Sequence, residues 1–453
     1  MIEIGKVISS KPGNIIVLLD SIEVFERNKD RLRISRYVSI EDGNNANILA
    51  SIRDIAAVQS PNADTINYTV TCSPIGYYFD FDGVINFRQG GVNLPSPTEP
   101  AYLPDDVVIN SIFSSNQNFS FLVGKLANND SIKYYVDGNK FFGKHIAVVG
   151  STGSGKSCSV ARLLQTAMQI EEGHNKNKPI TKNTHIIIFD IHSEYQTAFS
   201  LAESEQFRLN VLDVEKLCLP YWLMNSQELE ELFIESNEMN SHNQISQFKK
   251  AVILSKEKHN PGMTHINYDT PVYFDIWEVY RYIKNKNHEV ISKNDSDGYK
   301  PKRQDGSLVA EPDIIYLNEE VVFAATSNTK DNKASNGPYN GEFERFVTRL
   351  ETKLSDKRLK FITAPTKPDG ATFKTEDFDQ LLQQFLGYLN QSNVTIIDLS
   401  AIPFEVLSIV VSLLSRIIFD FAFHYSKIRH TAGEVNDIPF MLVCEEAHNY
   451  IPK

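Results

Sequence analysis

The chain has 453 residues, 42% of them hydrophobic and 23% charged. That excludes wholesale disorder, collagen and coiled-coil compositions and leaves room for about three domains. Lysine and arginine number 45 against 57 acidic residues, a net charge of −12, which excludes coating of nucleic acid by bulk charge but not a local basic channel.

Residues 1–125 read as small β-rich structure. Apolar runs such as Asn14-Ile15-Ile16-Val17-Leu18-Leu19 and Tyr68-Thr69-Val70-Thr71-Cys72 alternate with turn clusters at Lys11-Pro12-Gly13-Asn14 and Asp42-Gly43-Asn44-Asn45. A compact barrel or sandwich is expected, followed by an extended stretch stiffened by Pro95, Pro97, Pro100 and Pro104. The start of the chain shows no basic region leading into an apolar one, so a signal peptide is not expected.

The pattern changes near residue 140. His145-Ile146-Ala147-Val148-Val149 is a continuous apolar run of the kind that a parallel sheet buries on both faces. After Ser157, apolar residues recur at Val160, Leu163, Leu164, Ala167 and Met168, which predicts a helix, with Gly173 as its stop. A second buried strand is expected at Ile186–Phe189, ending in Asp190. From 221 to 390 the chain reads as helical and polar, with helices at Glu228–Phe248, Phe343–Leu359 and Thr375–Leu389. The Asn-, Asp- and Ser-rich stretch 286–342 reads as a mobile insertion. Strands at Val394–Asp398 and Phe440–Cys444 flank a buried helix at Val406–Phe423. That helix is the most membrane-like segment, yet it carries Arg416, Asp420 and three serines, which suits a soluble core better than lipid. Cys72, Cys158, Cys218 and Cys444 follow no paired spacing, as in a reducing cytoplasm.

The chemistry concentrates in three places. Gly150-Ser151-Thr152-Gly153-Ser154-Gly155-Lys156-Ser157 fits the Walker A pattern between an apolar run and a predicted helix. Its backbone N–H groups, continuing to Cys158, would hold phosphate oxygens. Lys156 would neutralise β- and γ-phosphate charge, and Ser157 would ligate Mg²⁺. Glu445-Glu446 ends an apolar run and supplies the acidic pair that hydrolysis needs. Glu445 would orient the Mg²⁺ shell, through water, and Glu446 would activate the attacking water. Asp190, with His192 and Glu194 behind it, ends the strand after the P-loop helix, where doubly wound sheets gather ligand groups. Asp190 could equally cap a turn, and Asp398 a helix.

Together, Gly150 to Ser157, Asp190-Ile191-His192-Ser193-Glu194-Tyr195 and Glu445-Glu446-Ala447-His448-Asn449-Tyr450-Ile451-Pro452 resemble the HerA family, ring ATPases of the FtsK–HerA group. Leu219–Met224 and Thr395–Ser400 echo it, and the β-rich block resembles the HAS barrel that precedes the motor. Ser193 departs from the family pattern, which has glycine there. The resemblance implies an α/β fold, a RecA-like P-loop NTPase core at 126–220 and 391–453. A β-barrel (HAS-barrel-like) domain at 1–125 would precede it, and a helical insertion at 221–390 would interrupt it. It further implies ATP and Mg²⁺ as cofactors, a homohexamer with duplex DNA in its pore, and a nuclease or Sir2-type NADase effector in anti-phage defence. A nucleotide-gated scaffold that activates the effector with little translocation is the alternative.

Two further expectations concern the motor. Arg281, Lys284, Lys286, Lys293, Lys300, Lys302 and Arg303, with Tyr280, Tyr282 and Tyr299 among them, form a basic stretch that could touch DNA; a solvated loop is the simpler reading. Relatives carry a trans-acting arginine finger and a sensor glutamine beyond the Glu-Glu-Ala-His block, whereas here seven residues follow Glu446. Arg345, Arg349, Arg358 and Arg416 do not match the finger motif, so a shortened chain is expected.

Overall fold

The computed structural model describes residues 1–42, 46–59, 66–81, 84–90, 93–113, 120–127, 129–168, 185–200, 207–235, 240–329, 332–387, 392–434 and 440–451. The turn expected at Gly43–Asn45, the stop at Gly173 and Pro452 of the acidic block lie outside these residues. The chain divides into two compact units, Met1–Glu171 and Glu172–Lys453.

The first unit is built on seven antiparallel strands: β1 (Ile2–Lys11), β2 (Asn14–Leu19), β3 (Tyr37–Glu41), β4 (Asn47–Gln59), β5 (Ile66–Phe81), β6 (Val84–Gln89) and β7 (Pro100–Leu103). They run in the order β2-β1-β7-β3-β4-β5-β6, and β2 also pairs with β5. Six strands therefore close into a barrel while β6 stays outside. Alternation decides what the barrel encloses: Ile15, Val17 and Leu19 of β2 point inward with Ile4, Val38 and Ile52. Pro100 opens β7, a strand position that can do without an N–H. Helices α1 (Ile22–Arg27) and α2 (Asp106–Phe113) accompany the barrel. A hairpin of β8 (Ser120–Leu126) and β9 (Asn129–Asp137) follows, then α3 (Gly138–Phe142) and α4 (Lys156–Ala167). Helix α4 turns Ala161 and Leu164 inward, with Met168 just beyond its end.

The run 145–149 is not the buried strand that its apolarity predicts. Val149 is 89% exposed and Ile146 and Val148 are each 47% exposed. An apolar run becomes a strand only where a neighbour completes its hydrogen-bond ladder, and no ladder reaches 145–149 among the described residues.

The second unit holds a parallel sheet of β10 (His185–Asp190), β11 (Leu209–Leu212), β14 (Val394–Asp398) and β15 (Phe440–Cys444), in the order β11-β14-β10-β15. Central β10 and β14 are buried almost throughout, as continuous apolar runs should be, whereas β15 lies at an edge and is half-buried. The short β11, Leu-Asn-Val-Leu, is not marked by any sequence pattern noted above.

Between β11 and β14 lie α5's successors; α5 itself (Tyr195–Ser200) follows β10. These are α6 (Ser226–Phe233), α7 (Ser241–His259), α8 (Ile276–His288), α9 (Pro312–Asn318), α10 (Glu344–Ser355), α11 (Lys360–Thr363) and α12 (Phe378–Phe385), with a two-stranded β12 (Val290–Ser292) and β13 (Ala334–Asn336). The single helix expected over Glu228–Phe248 is two, α6 and α7: α6 opens on an Asn225–Glu228 capping box and α7 starts afresh after Asn240. Polar 286–342 is a folded region. Val290, Val309, Tyr316 and Ala334 are buried in it, and buried Asn285 donates to the carbonyls of Tyr316 and Glu319 while accepting from Val321 N.

Buried Lys256 on α7 donates to the carbonyls of Tyr268 and Thr270 at 2.6 and 2.7 Å, and burial lowers its amine to about 8. Long helix α13 (Phe404–Thr431) buries its first half, from Val406 to Ile418. By length and composition it could cross a membrane, and half of its most apolar window is buried. From it, Arg416 reaches α6, donating to both carboxylate oxygens of buried Glu228 (3.2 and 2.7 Å) and to the carbonyl of Leu223.

Candidate nucleotide site

The P-loop lies in the first unit and the acidic strand ends in the second. Gly153 and Gly155 take φ values of +78° and +86°, a left-handed backbone that glycine adopts without strain. At Gly150 an added Cβ would come within 2.5 Å of Ser154 Oγ, so a side chain there would have to turn that hydroxyl aside. Ser154 N donates to Ser151 O and Ser159 N to Gly155 O, so the loop passes directly into the first turn of α4. Lys156 lies back over the loop, its Nζ 3.4 Å from Ser151 O. Gly150 to Gly155 and Cys158 are exposed, and Lys156 and Ser157 partly so. A turn of this shape before a helix N-terminus suits phosphate oxygens, and the residues present fit a nucleotide's phosphates.

In the second unit, parallel register sets Asp190 opposite Asp398 and Phe189 opposite Cys444. Three carboxylates therefore collect at the ends of β10, β14 and β15, and the turn 190–195 runs across them. Asp190 is fully buried and accepts from Glu194 N (3.1 Å) and Tyr195 N (3.0 Å), starting α5. These two bonds cap the turn, and a third contact reaches Glu445. Glu445 accepts from Ile191 N (2.9 Å) and His192 N (3.3 Å) through Oε2, and its carbonyl accepts from Tyr450 Oη. Burial first, and then the hydrogen bond with Asp190, push Glu445 up to about 7, against the pull of the two N–H groups.

Glu446 lies beside this pair with φ +44°, a left-handed conformation that a non-glycine residue holds only under local constraint. Its carboxylate is 3.3 Å from His448 Nδ1. Glu194 and His192 are exposed. Mg²⁺ at nucleotide sites takes one or two protein groups plus phosphates and waters, and partly exposed Ser157 at the start of α4 is a hydroxyl of that kind. Among the arginines, Arg416 is engaged with Glu228, Arg349 pairs with Glu235 and Arg358 with Asp356, while Arg345 is exposed.

Residues 121–418 match the family described as "Helicase HerA, central domain". The chain belongs to the HerA family. A probable helicase of Methanocaldococcus jannaschii is 30% identical over 130 residues, 28% of this chain and 22% of that protein. A second probable helicase of the same organism is 26% identical over 168 residues, 36% of this chain and 29% of its own. A probable DNA double-strand break repair helicase HerA, also from that organism, is 24% identical over 166 residues, 37% and 28% of the two chains. The matched stretches thus span less than a third of each relative's length. Membership implies a P-loop NTPase of α/β class, and the HerA departure at Ser193 now has a physical setting: Ser193 has φ +56°, where glycine would be unstrained.

Proposed function

We propose that the chain is an ATP-hydrolysing motor subunit of HerA type with a RecA-like core. It forms a homohexameric ring that moves duplex DNA in the cytoplasm and works with a nuclease or Sir2-type NADase effector in anti-phage defence. The observation that carries the reading is the acidic pair Glu445-Glu446 at the end of β15, against Asp190 on β10, in a chain with a complete Walker A octet. The polar insertion within the core supports a defence relative over a compact motor.

When bound, ATP would supply the γ-phosphoryl group that passes to water, and Mg²⁺ would neutralise charge on its oxygens. Gly150 to Cys158 would cradle the phosphates and Lys156 would offset their charge, while Ser157 and, through water, Glu445 would hold the cation once nucleotide brings the two units together. Glu446 takes the proton of the attacking water. Asp190 acts by holding Glu445 and the turn, and exposed Glu194 is available to the nucleotide.

Phosphate release with and without duplex DNA tests this. Lys156→Ala should lower turnover by roughly 10²- to 10³-fold, and wild-type rates in that variant would sink the proposal. Glu446→Gln should keep ATP binding while turnover falls by about 10²-fold or more. An effector that stays fully active beside that variant would favour the nucleotide-gated scaffold instead.

A further inference from the structure

The turn 190–195 is held by one carboxylate from each of three strands, and Ser193 makes the link to β14. Its Oγ donates to Asp398 Oδ2 at 2.8 Å and lies 3.1 Å from Ser400 Oγ, while Asp398 Oδ1 accepts from Ser400 N at 2.9 Å. Ser193 does so from a left-handed backbone that disfavours any side chain. The two residues before it, Ile191 and His192, are those whose N–H groups hold Glu445.

We infer that Ser193 is a positioning residue. Its hydroxyl straps the turn to the end of β14, and so keeps the N–H groups of Ile191 and His192 aimed at the Glu445 carboxylate. The inference rests on the ATPase reading for its effect on turnover. Serine at this position adds to a glycine-compatible turn a tether that glycine cannot make. Because the nucleotide's phosphates are held by the P-loop, loss of the strap should act on turnover rather than on ATP binding.

Ser193→Gly separates the two roles, for it relaxes the backbone and removes only the hydroxyl. Relief of left-handed strain and the greater freedom of glycine in the unfolded chain oppose each other, so stability stays near wild type. The expected result is a fall in kcat of about tenfold, the lower range for groups that orient a metal-site carboxylate, with KM for ATP nearly unchanged. Amide exchange at 191–192 should quicken. Ser193→Ala should show the same kcat loss, and Ser193→Thr, which keeps a hydroxyl, should recover part of it. In an Asp398→Ala background Ser193→Gly should cost much less, since the two changes break one link. Ser193→Gly with wild-type kcat and wild-type exchange would overturn the inference. If wild-type protein shows no Lys156-dependent hydrolysis, the ATPase reading fails by itself, and amide exchange alone then decides the strap: unchanged exchange at 191–192 rejects it.

Discussion

Glu445 carries a measurable pH signature. In the folded chain its carboxyl is raised from 4.5 to about 7, so between those values the native state binds more protons than the unfolded one. Stability from this group is therefore fully present below pH 4.5 and is lost as pH rises through 7. Glu445→Gln mimics the protonated form and should lose that dependence. In urea titrations from pH 5 to 8, the wild type should weaken relative to Glu445→Gln as pH rises, and parallel curves would refute the assignment. Lys256 behaves in the mirrored sense. Its amine is lowered from 10.5 to about 8, so the unfolded chain binds more protons across that window and Lys256 adds stability as pH climbs through it. Lys256→Met should remove this rise, and at pH 7 it should cost about 1–3 kcal/mol by stranding the carbonyls of Tyr268 and Thr270.

Elements were legible where burial leaves a periodic trace. Strands β10, β14 and β15 could be read as apolar runs ending in an acid, because the interior of a parallel sheet admits little else. The break between α6 and α7 leaves no trace in the apolar periodicity, although Asn240-Ser241 are residues that commonly start helices. Segment 286–342 misled for a subtler reason. Its asparagines look like loop composition, yet Asn287 is buried and bonds as backbone amides do, accepting from Phe343 N and donating to Glu344. The tie from α13 to α6 was invisible because Arg416 and Glu228 lie far apart in sequence. Arg416→Ala would leave buried Glu228 without its cation, with only Asn225 N still donating to it, which should cost roughly 2–4 kcal/mol, discounted for the partial exposure of Arg416. Both tryptophans, Trp222 and Trp277, lie in the second unit, so the urea midpoint of their fluorescence reports this loss.

For the whole molecule, the basic stretch 281–303 is mostly occupied. Lys284 pairs with Glu320, Lys286 with Glu289 and Arg303 with Glu319, while Lys302 donates to Asn332 and Arg281 to Leu317 O. These contacts brace the insertion, whereas Lys293 and Lys300 stay exposed. Replacing Lys284 and Arg303 with glutamine should leave the slope of duplex affinity against salt unchanged; a slope lower by about one per charge removed would place phosphates on this face. Motif chemistry was the most legible layer, since Gly153 and Gly155 can be read straight from their need for a left-handed turn. The hydroxyl strap at Ser193 was not, because only the fold brings residues 193 and 398 together.

One consequence follows from the turn that spans β10, β14 and β15. Anchored at three points on adjoining strands, it has no slack to absorb a change in the twist of the sheet. Any such change is passed to the anchored amides of His192 and Glu194, whose side chains are exposed. These two residues are thus a gauge: a spectroscopic label at either would register strain in the sheet before any strand had come apart.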